Sequence, residues 1–136
     1  MTALAEDRNT ERKDGVVVPF QVITNDCIYG GSLVAVNAGG YALPGSDTAG
    51  LIFQGVAEAR ADNTGGANGA IKVNVRRQGL FLFNMGTAIT IANVGDAVCL
   101  VDDQTVDLAA NCINDIACGK IVEYYSTTKA WIDIAR

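Results

Sequence analysis

A chain of 136 residues, 49% of them hydrophobic, is long enough to bury one sizeable core and too short for two independent ones. Its formal charge of −5 at pH 7 and pI near 4.5 leave no basic stripe for a phosphate backbone, so DNA and RNA are excluded as partners. Histidine is absent, which removes Ser-His-Asp and Cys-His catalysis together with the commonest metal ligand.

In chain order, residues 1–14 form a unit apart. Glu6, Asp7, Arg8, Glu11, Arg12, Lys13 and Asp14 crowd this stretch, and Leu4 is its only bulky aliphatic side chain after Met1. It holds no apolar run of the kind a signal peptide needs, and reads as an arm on a chain that stays in the cytoplasm where it is made. Nowhere does an apolar run approach the roughly 18 residues of a membrane helix. The body, residues 15–136, opens with Val16-Val17-Val18-Pro19-Phe20-Gln21-Val22-Ile23, a strand that Pro19 marks as an edge or a bulge.

Short β-rich runs follow at sandwich or barrel spacing: Ser32–Asn37, Tyr41–Leu43, Leu51–Ala59, Ala70–Arg77, Leu80–Phe83, Ala88–Ile91, Ala97–Val101, Thr105–Leu108, Gly119–Tyr125 and Ala130–Ile134. Ala38-Gly39-Gly40 and Asp102-Asp103-Gln104 have the chemistry of hairpin connections. Asp62–Gly69 reads as a surface loop with mobility, and only Leu108–Asp115 and Ile91–Val94 offer a turn of helix. The expected fold is all-β, a compact barrel or sandwich-like body of short strands.

Shifting the chain by 64 residues lays Gly31–Val36 on Gly95–Leu100, brings the two hairpin turns into coincidence, places Ile52 and Gly55 on Ile116 and Gly119, and sets Gly15 on Gly79. The last strand matches when the Gly-rich loop is shortened in the second half. Two readings stand side by side: coincidence among 15 glycines, or two pseudo-repeats sharing one core.

Candidate chemistry is sparse. Cys27, Cys99, Cys112 and Cys118 lack zinc-site spacing, and cytoplasmic synthesis favours thiols, so they are expected to serve as buried small hydrophobes. Asp102-Asp103 reads as a turn, because neighbours on an extended chain point apart. Glu58 and Glu123 fall near equivalent places in the repeat; a glycosidase-like pair there is the remaining enzymatic possibility, against two solvated strand ends. Gly65–Lys72 lacks the Gly-Lys-Ser/Thr ending of a phosphate loop and leads into a strand. Arg76-Arg77 suits a salt bridge or an acidic partner, and Trp131 beside Ile132 suits core better than interface.

TALAEDRNTERKDG, VVVPFQV, the stretch from Tyr29 to Gly69 with AGG-Y-ALP-SDTAGL and GVAEARADN, VNVRRQGLFLFN, and VGDAVCLVDDQTV together resemble the capsid cement, or head decoration, proteins of tailed bacteriophages. The likeness spans most of the chain and is less familiar from Asp107 to Tyr125. It implies a non-enzymatic protein without cofactor, added to the outer surface of an assembled head. There a homotrimer would clamp the major capsid protein of neighbouring capsomers. The arm would make the shell contact, with Thr2, Leu4, Ala5, Asp7, Arg8, Asn9 and Arg12 as its contact residues. The alternative is a virion-displayed carbohydrate-binding or adhesion module using Tyr29 or Tyr41.

Overall fold

The computed structural model describes residues 2–134. Met1, Ala135 and Arg136, at the outer ends of the expected arm and body, lie outside the described residues. The all-β expectation holds. Twelve strands are described: β1 (Val17–Gln21), β2 (Cys27–Ile28), β3 (Leu33–Val36), β4 (Ala42–Pro44), β5 (Ile52–Ala57), β6 (Ala61–Asp62), β7 (Lys72–Arg76), β8 (Leu80–Met85), β9 (Ala97–Leu100), β10 (Thr105–Leu108), β11 (Ala117–Ser126) and β12 (Lys129–Asp133). Two single 3-10 turns, Ile91–Asn93 and Ala109–Asn111, occupy the places where the sequence offers a turn of helix.

The strands form two units of the same topology. In the first, the sheet order is β1-β7-β5-β3-β4, and a parallel bridge between Val22 and Ala42 joins its two edges. In the second, β8, β12, β11, β9 and β10 close a barrel, with β10 parallel to β8. The registers repeat residue for residue. Val34 faces Gly55 and Ala35 faces Phe53 across a bulge in the first unit; Val98 faces Gly119 and Cys99 faces Ala117 across a bulge in the second. The hairpins also agree, with Val34↔Pro44 matched by Val98↔Leu108. Gly31 N donates to Ala57 O and Gly95 N to Ile121 O, again the same bond in each unit.

The first strand of each unit corrects the 64-residue shift. Val17 pairs with Arg76 and Leu80 with Asp133, so β1 matches β8 at a displacement of 63 residues. The reason is side-chain alternation: this displacement puts the buried Val22 on the buried Met85, and one residue more would turn the whole strand inside out. Between the first and second strands of each unit, the second unit carries one extra residue. There the expected strand Ala88–Ile91 does not form. Ile89 is buried as a single anchor, and the Thr90 hydroxyl and Asn93 side chain cap the Ile91–Asn93 turn in a capping box.

Gly55 and Gly119 are the positions where backbone freedom is indispensable. Both have positive φ, 152° and 140°, and a Cβ at either would run into a carbonyl oxygen of the adjacent strand, Arg76 O or Asp133 O. The bulge beside each glycine coils its sheet so that the barrel can close.

The Asp62–Gly69 loop is fastened, contrary to the expectation of mobility. Asn63 is buried, and its side-chain amide donates to the carbonyls of Ile23 and Ala67, each at 2.9 Å. Thr24 N donates to Asn68 Oδ1 and Thr24 Oγ1 to Gly66 O, both at 2.7 Å. These bonds cross from the segment after β1 to the loop, and the β2–β6 ladder extends the same attachment. Polar composition alone concealed it, since the partners lie some forty residues away along the chain.

The cores do not form the single shared one expected. Val22, Ile28, Val34, Val36, Ala42, Ala57, Ala61, Val73 and Val75 fill the first unit. A second, larger cluster fills the second barrel through Phe83, Met85, Val98, Leu100, Val106, Ile121, Ala130 and Ile132, and extends onto Leu33, Ala35, Phe53 and Val56 of the first unit. Strand β3 is therefore buried on both faces: Val34 and Val36 point into their own unit, while Leu33 and Ala35 join the core of the other. At the matching outward positions the second unit carries Ala97, Lys120 and Ala117, all exposed. Trp131, expected in the core, is half-buried on the outer face of the second barrel between Leu82 and Glu123, because the alternation of β12 sends Ala130 and Ile132 inward.

Substituting Gly55 or Gly119 with alanine is expected to cost about 2–4 kcal/mol each, against about 1 kcal/mol for Gly50→Ala, whose φ is positive but whose Cβ would enter open space. Urea unfolding of the three variants measures this; equal losses at all three positions would contradict the close-approach argument. Asn63→Ala is expected to lose about 1–3 kcal/mol by stranding buried carbonyls, read in the same titration.

Candidate functional site

The arm is exposed from Thr2 to Asp14 and contributes to no strand or helix. Its described internal bond runs from Thr10 N to Arg8 O. Leu4 is 72% exposed. The two ion pairs among the described residues, Arg76–Glu58 and Arg60–Asp62, both lie in the body. Thr2, Leu4, Ala5, Asp7, Arg8, Asn9 and Arg12 thus stand in solvent, and nothing in the body's own packing orders them. A segment with four acidic and three basic residues and one bulky aliphatic side chain has too little apolar surface to fold on itself.

The body begins at the edge of a sheet. Pro19 sits in β1, which pairs with β7 alone over Val17–Gln21, so its missing N–H takes no ladder bond away from a second neighbour. The counterpart strand β8 has Leu82 at that place, and its end pairs with β10 through Asn84 and Met85.

Glu58 and Glu123 have different settings, and Glu58 is paired with an arginine. Glu58 follows β5 and its Oε1 accepts from Arg76 Nε at 2.5 Å, while Glu123 lies on the exposed face of β11 opposite Trp131. The repeat places Val122, not Glu123, at the position equivalent to Glu58. An open cleft of about 300 Å³ at the junction of the units is lined by Gly31, Val56, Glu58, Arg76, Phe81 and Phe83, with no contribution from Glu123. The Glu58 carboxylate is committed to the guanidinium beside it. Arg77, next along, is half-buried, and its Nε is shielded from solvent without an acceptor among the described residues.

Asp102-Asp103-Gln104 is the expected turn: Asp102 Oδ1 accepts from Gln104 N at 2.9 Å, and the two carboxylates serve no common point. Asp103 O accepts from Leu33 N at 2.8 Å, tying this turn to the first unit. Tyr29 is 57% exposed beside a second cleft lined by Gly30, Ser32, Asp103 and Gln104, and the Arg60 guanidinium stands 5.3 Å from its ring centroid. Tyr41 is half-buried against the Gly39 turn that the Asn37 side chain caps. Among the described residues no three His, Cys, Asp or Glu side chains converge as a metal site would require, and no helix is long and apolar enough to cross a membrane.

Two of the cysteines depart from the expectation of thiols, while Cys118 is the buried small hydrophobe expected. Cys99 and Cys112 form a disulfide with Cα atoms 6.4 Å apart, within the usual span of such bridges. Cys118 is buried in the second core, and Cys27 is half-buried on β2. Cys99 turns outward from β9 and the chain returns past it after the Ala109–Asn111 turn, a meeting set by the hairpin rather than by spacing. Immediately beyond, Asp47 of the first unit clasps this returning loop: its carboxylate accepts from Ile113 N and Asn114 N, each at 2.9 Å, and Asn114 Nδ2 donates to Asp47 O. Sequence inspection passed over Asp47, whose partners lie 66 and 67 residues away.

Those two amides hold the Asp47 carboxyl below the ordinary carboxylate range, followed by the Asn114 side chain as the smaller favourable contribution. A depressed folded-state pKa adds stability that is present above the unfolded value of 3.8 and is lost as pH falls through the folded one. Acid that takes the pH below 3.8 and on through the lowered folded-state value is therefore expected to release the clasp, read as reduced protection of the Ile113 and Asn114 amides relative to the intrinsic exchange rate at each pH. In Asp47→Asn that acid-induced step is expected to vanish; its persistence would assign it to another group.

No protein-family model, curated protein or solved structure matches the chain.

Proposed function

We propose that the chain is a non-enzymatic head decoration protein of a tailed bacteriophage, attached to the outer surface of the assembled capsid through its arm. The observation that carries this reading is the contrast between the arm and the body. Thirteen exposed residues, dense in charge of both signs, project from a body whose strands are paired into sheets around apolar cores. Such a segment acquires order only from an external surface, and strand addition suits it, because backbone hydrogen bonds hold a peptide with little apolar surface of its own. The resemblance in the arm, in Tyr29–Gly69 and in Gly95–Val106 supports the same reading.

As a homotrimer the protein would gather three arms at one junction between capsomers, so that after the first contact the others become intramolecular. Each arm loses conformational entropy on docking, which offsets part of the gain. The net negative charge limits adhesion to nucleic acid during assembly in the host cytoplasm. Copies around the shell would oppose the pressure of packaged DNA by tying major capsid protein subunits together. The adhesion alternative draws on Tyr29, exposed at the mouth of its cleft.

Deleting Thr2 to Asp14 is expected to leave the thermal unfolding of the body unchanged and to weaken binding to expanded heads of the encoding phage by about 100-fold or more, measured by co-sedimentation. Retained binding would remove the arm from its role, and density on the tail rather than at three-fold junctions in a virion reconstruction would overturn the placement. Glycan-array binding by the intact chain that Tyr29→Ala abolishes would favour the alternative.

A further inference from the structure

We infer that the Cys99–Cys112 disulfide is a redox latch: closed, it holds the loop from Ala109 to Asp115 against Asp47 of the first unit; open, it frees that loop while both units stay folded. The loop lies between β10 and β11 and is equivalent to the Gly45–Leu51 loop of the first unit, which contains Asp47. The two matching loops therefore meet, and their meeting is a polar contact between the units beside the Leu33 N to Asp103 O bond.

The repeat supplies the internal control. The positions equivalent to Cys99 and Cys112 in the first unit are Ala35 and Thr48, and there the same strands pair in the same register without a bridge. Neither Cys99 nor Cys112 belongs to a core cluster, so the barrel's apolar packing does not run through the bridge. What the bridge does fix is a loop with few other fasteners. Ala110, Asn111, Ile113, Asn114 and Asp115 are exposed, the Ala109–Asn111 turn has no side-chain cap, and Ile113 stands 91% exposed. Asn111 Nδ2 reaches Thr87 Oγ1 at 3.2 Å and the buried Asp107 Oδ1 at 3.4 Å on the near side of Cys112, and Ile116, packed against the second core with its carbonyl accepting from Leu100 N at 3.0 Å, bounds the loop on the far side. Exposed hydrogen bonds with no apolar cover open at low cost once the covalent tie is gone.

The chemistry is a thiol–disulfide exchange. The Cys112 thiolate, half-buried where Cys99 is fully buried, attacks a small-molecule disulfide and expels one thiol; the Cys99 thiolate then displaces the second. Two protein thiols lose two electrons and two protons in all, and one disulfide of the oxidant becomes two thiols. Cys118 does not compete for Cys99. It points into the second core, whereas Cys99 points away from it. The use of such a latch rests on the decoration reading: made in a reducing cytoplasm, the chain docks with the loop free, and locks once the particle meets an oxidising medium.

The test uses the isolated full chain, so that its failure is distinct from any failure to bind heads. The chain is equilibrated with oxidised glutathione or with excess dithiothreitol, and amide exchange is followed by mass spectrometry. Oxidised protein is expected to yield Cys99–Cys112 as its disulfide-linked peptide pair. Reduction is expected to speed exchange at Ile113 and Asn114 by about tenfold or more, leaving β3, β5 and β12 protected. Cys112→Ser should behave as the reduced form in either buffer. Unchanged exchange on reduction, loss of protection throughout the second barrel, or free Cys99 and Cys112 thiols in the oxidised sample would each overturn the latch.

Discussion

The double-sided burial of β3 is the constraint on which the rest of the structure depends. A four-residue strand, Leu33-Val34-Ala35-Val36, is shielded on both faces, and this joins two similar units into one body. Alternation divides the labour: Val34 and Val36 close the first unit, while Leu33 and Ala35, with Phe53 and Val56 from β5, extend the core of the second. Had the first unit carried the residues its partner has at those places, Ala97, Cys99, Ala117 and Lys120, its outer face would lack the apolar area to seat a neighbour. The units differ in character on their outer faces, while their inner faces are apolar in both.

Closure of each unit rests in turn on a glycine at a bulge. Gly55 and Gly119 admit the carbonyl of the adjacent strand where any side chain would exclude it. The first unit closes loosely, through the Val22–Ala42 bridge, with Pro19 on its edge strand; the second closes through a paired β8 and β10. The looser unit also carries the additions: the Asn63-pinned loop, the β2–β6 ladder and the arm. Additions of that kind fall where a sheet has an open edge and backbone groups still seek partners.

A body fixed in this way and an arm fixed by nothing within it divide the proposed task. Rigid packing sets the spacing between arms in an assembly, and the arms supply the contacts. The junction between the units has an apolar part and polar contacts, the Leu33 N to Asp103 O bond and the clasp of Asp47 on Ile113 and Asn114, and it is the clasp that acid and reduction of the disulfide are expected to loosen. On the proposed reading, mechanical strength and adjustability would reside in different contacts.

The sequence by itself determined the local features. Alternating apolar residues and turn chemistry specified most strands and both hairpins, though not β2 or β6 and wrongly a strand at Ala88–Ile91, Pro19 specified an edge or a bulge, and the crowded charges of residues 1–14 specified a segment outside the core. Each of these depends on neighbours within a few positions, where side-chain chemistry and backbone sterics act directly. Two features of the repeat were legible at the level of glycines, the hairpin turns and the matching pair Gly55 and Gly119. The one-residue offset of β8 was not, because it is decided by which face of a strand meets a core. Tertiary structure alone decided that Asn63 pins its loop, that Glu58 pairs with Arg76, that Trp131 lies on an outer face, and that Cys99 meets Cys112. All of these are agreements between segments brought together by closure of the sheets, and the energy that selects them, burial of apolar area together with hydrogen bonds to buried groups such as Asn63, belongs to the assembled fold and not to any stretch of chain.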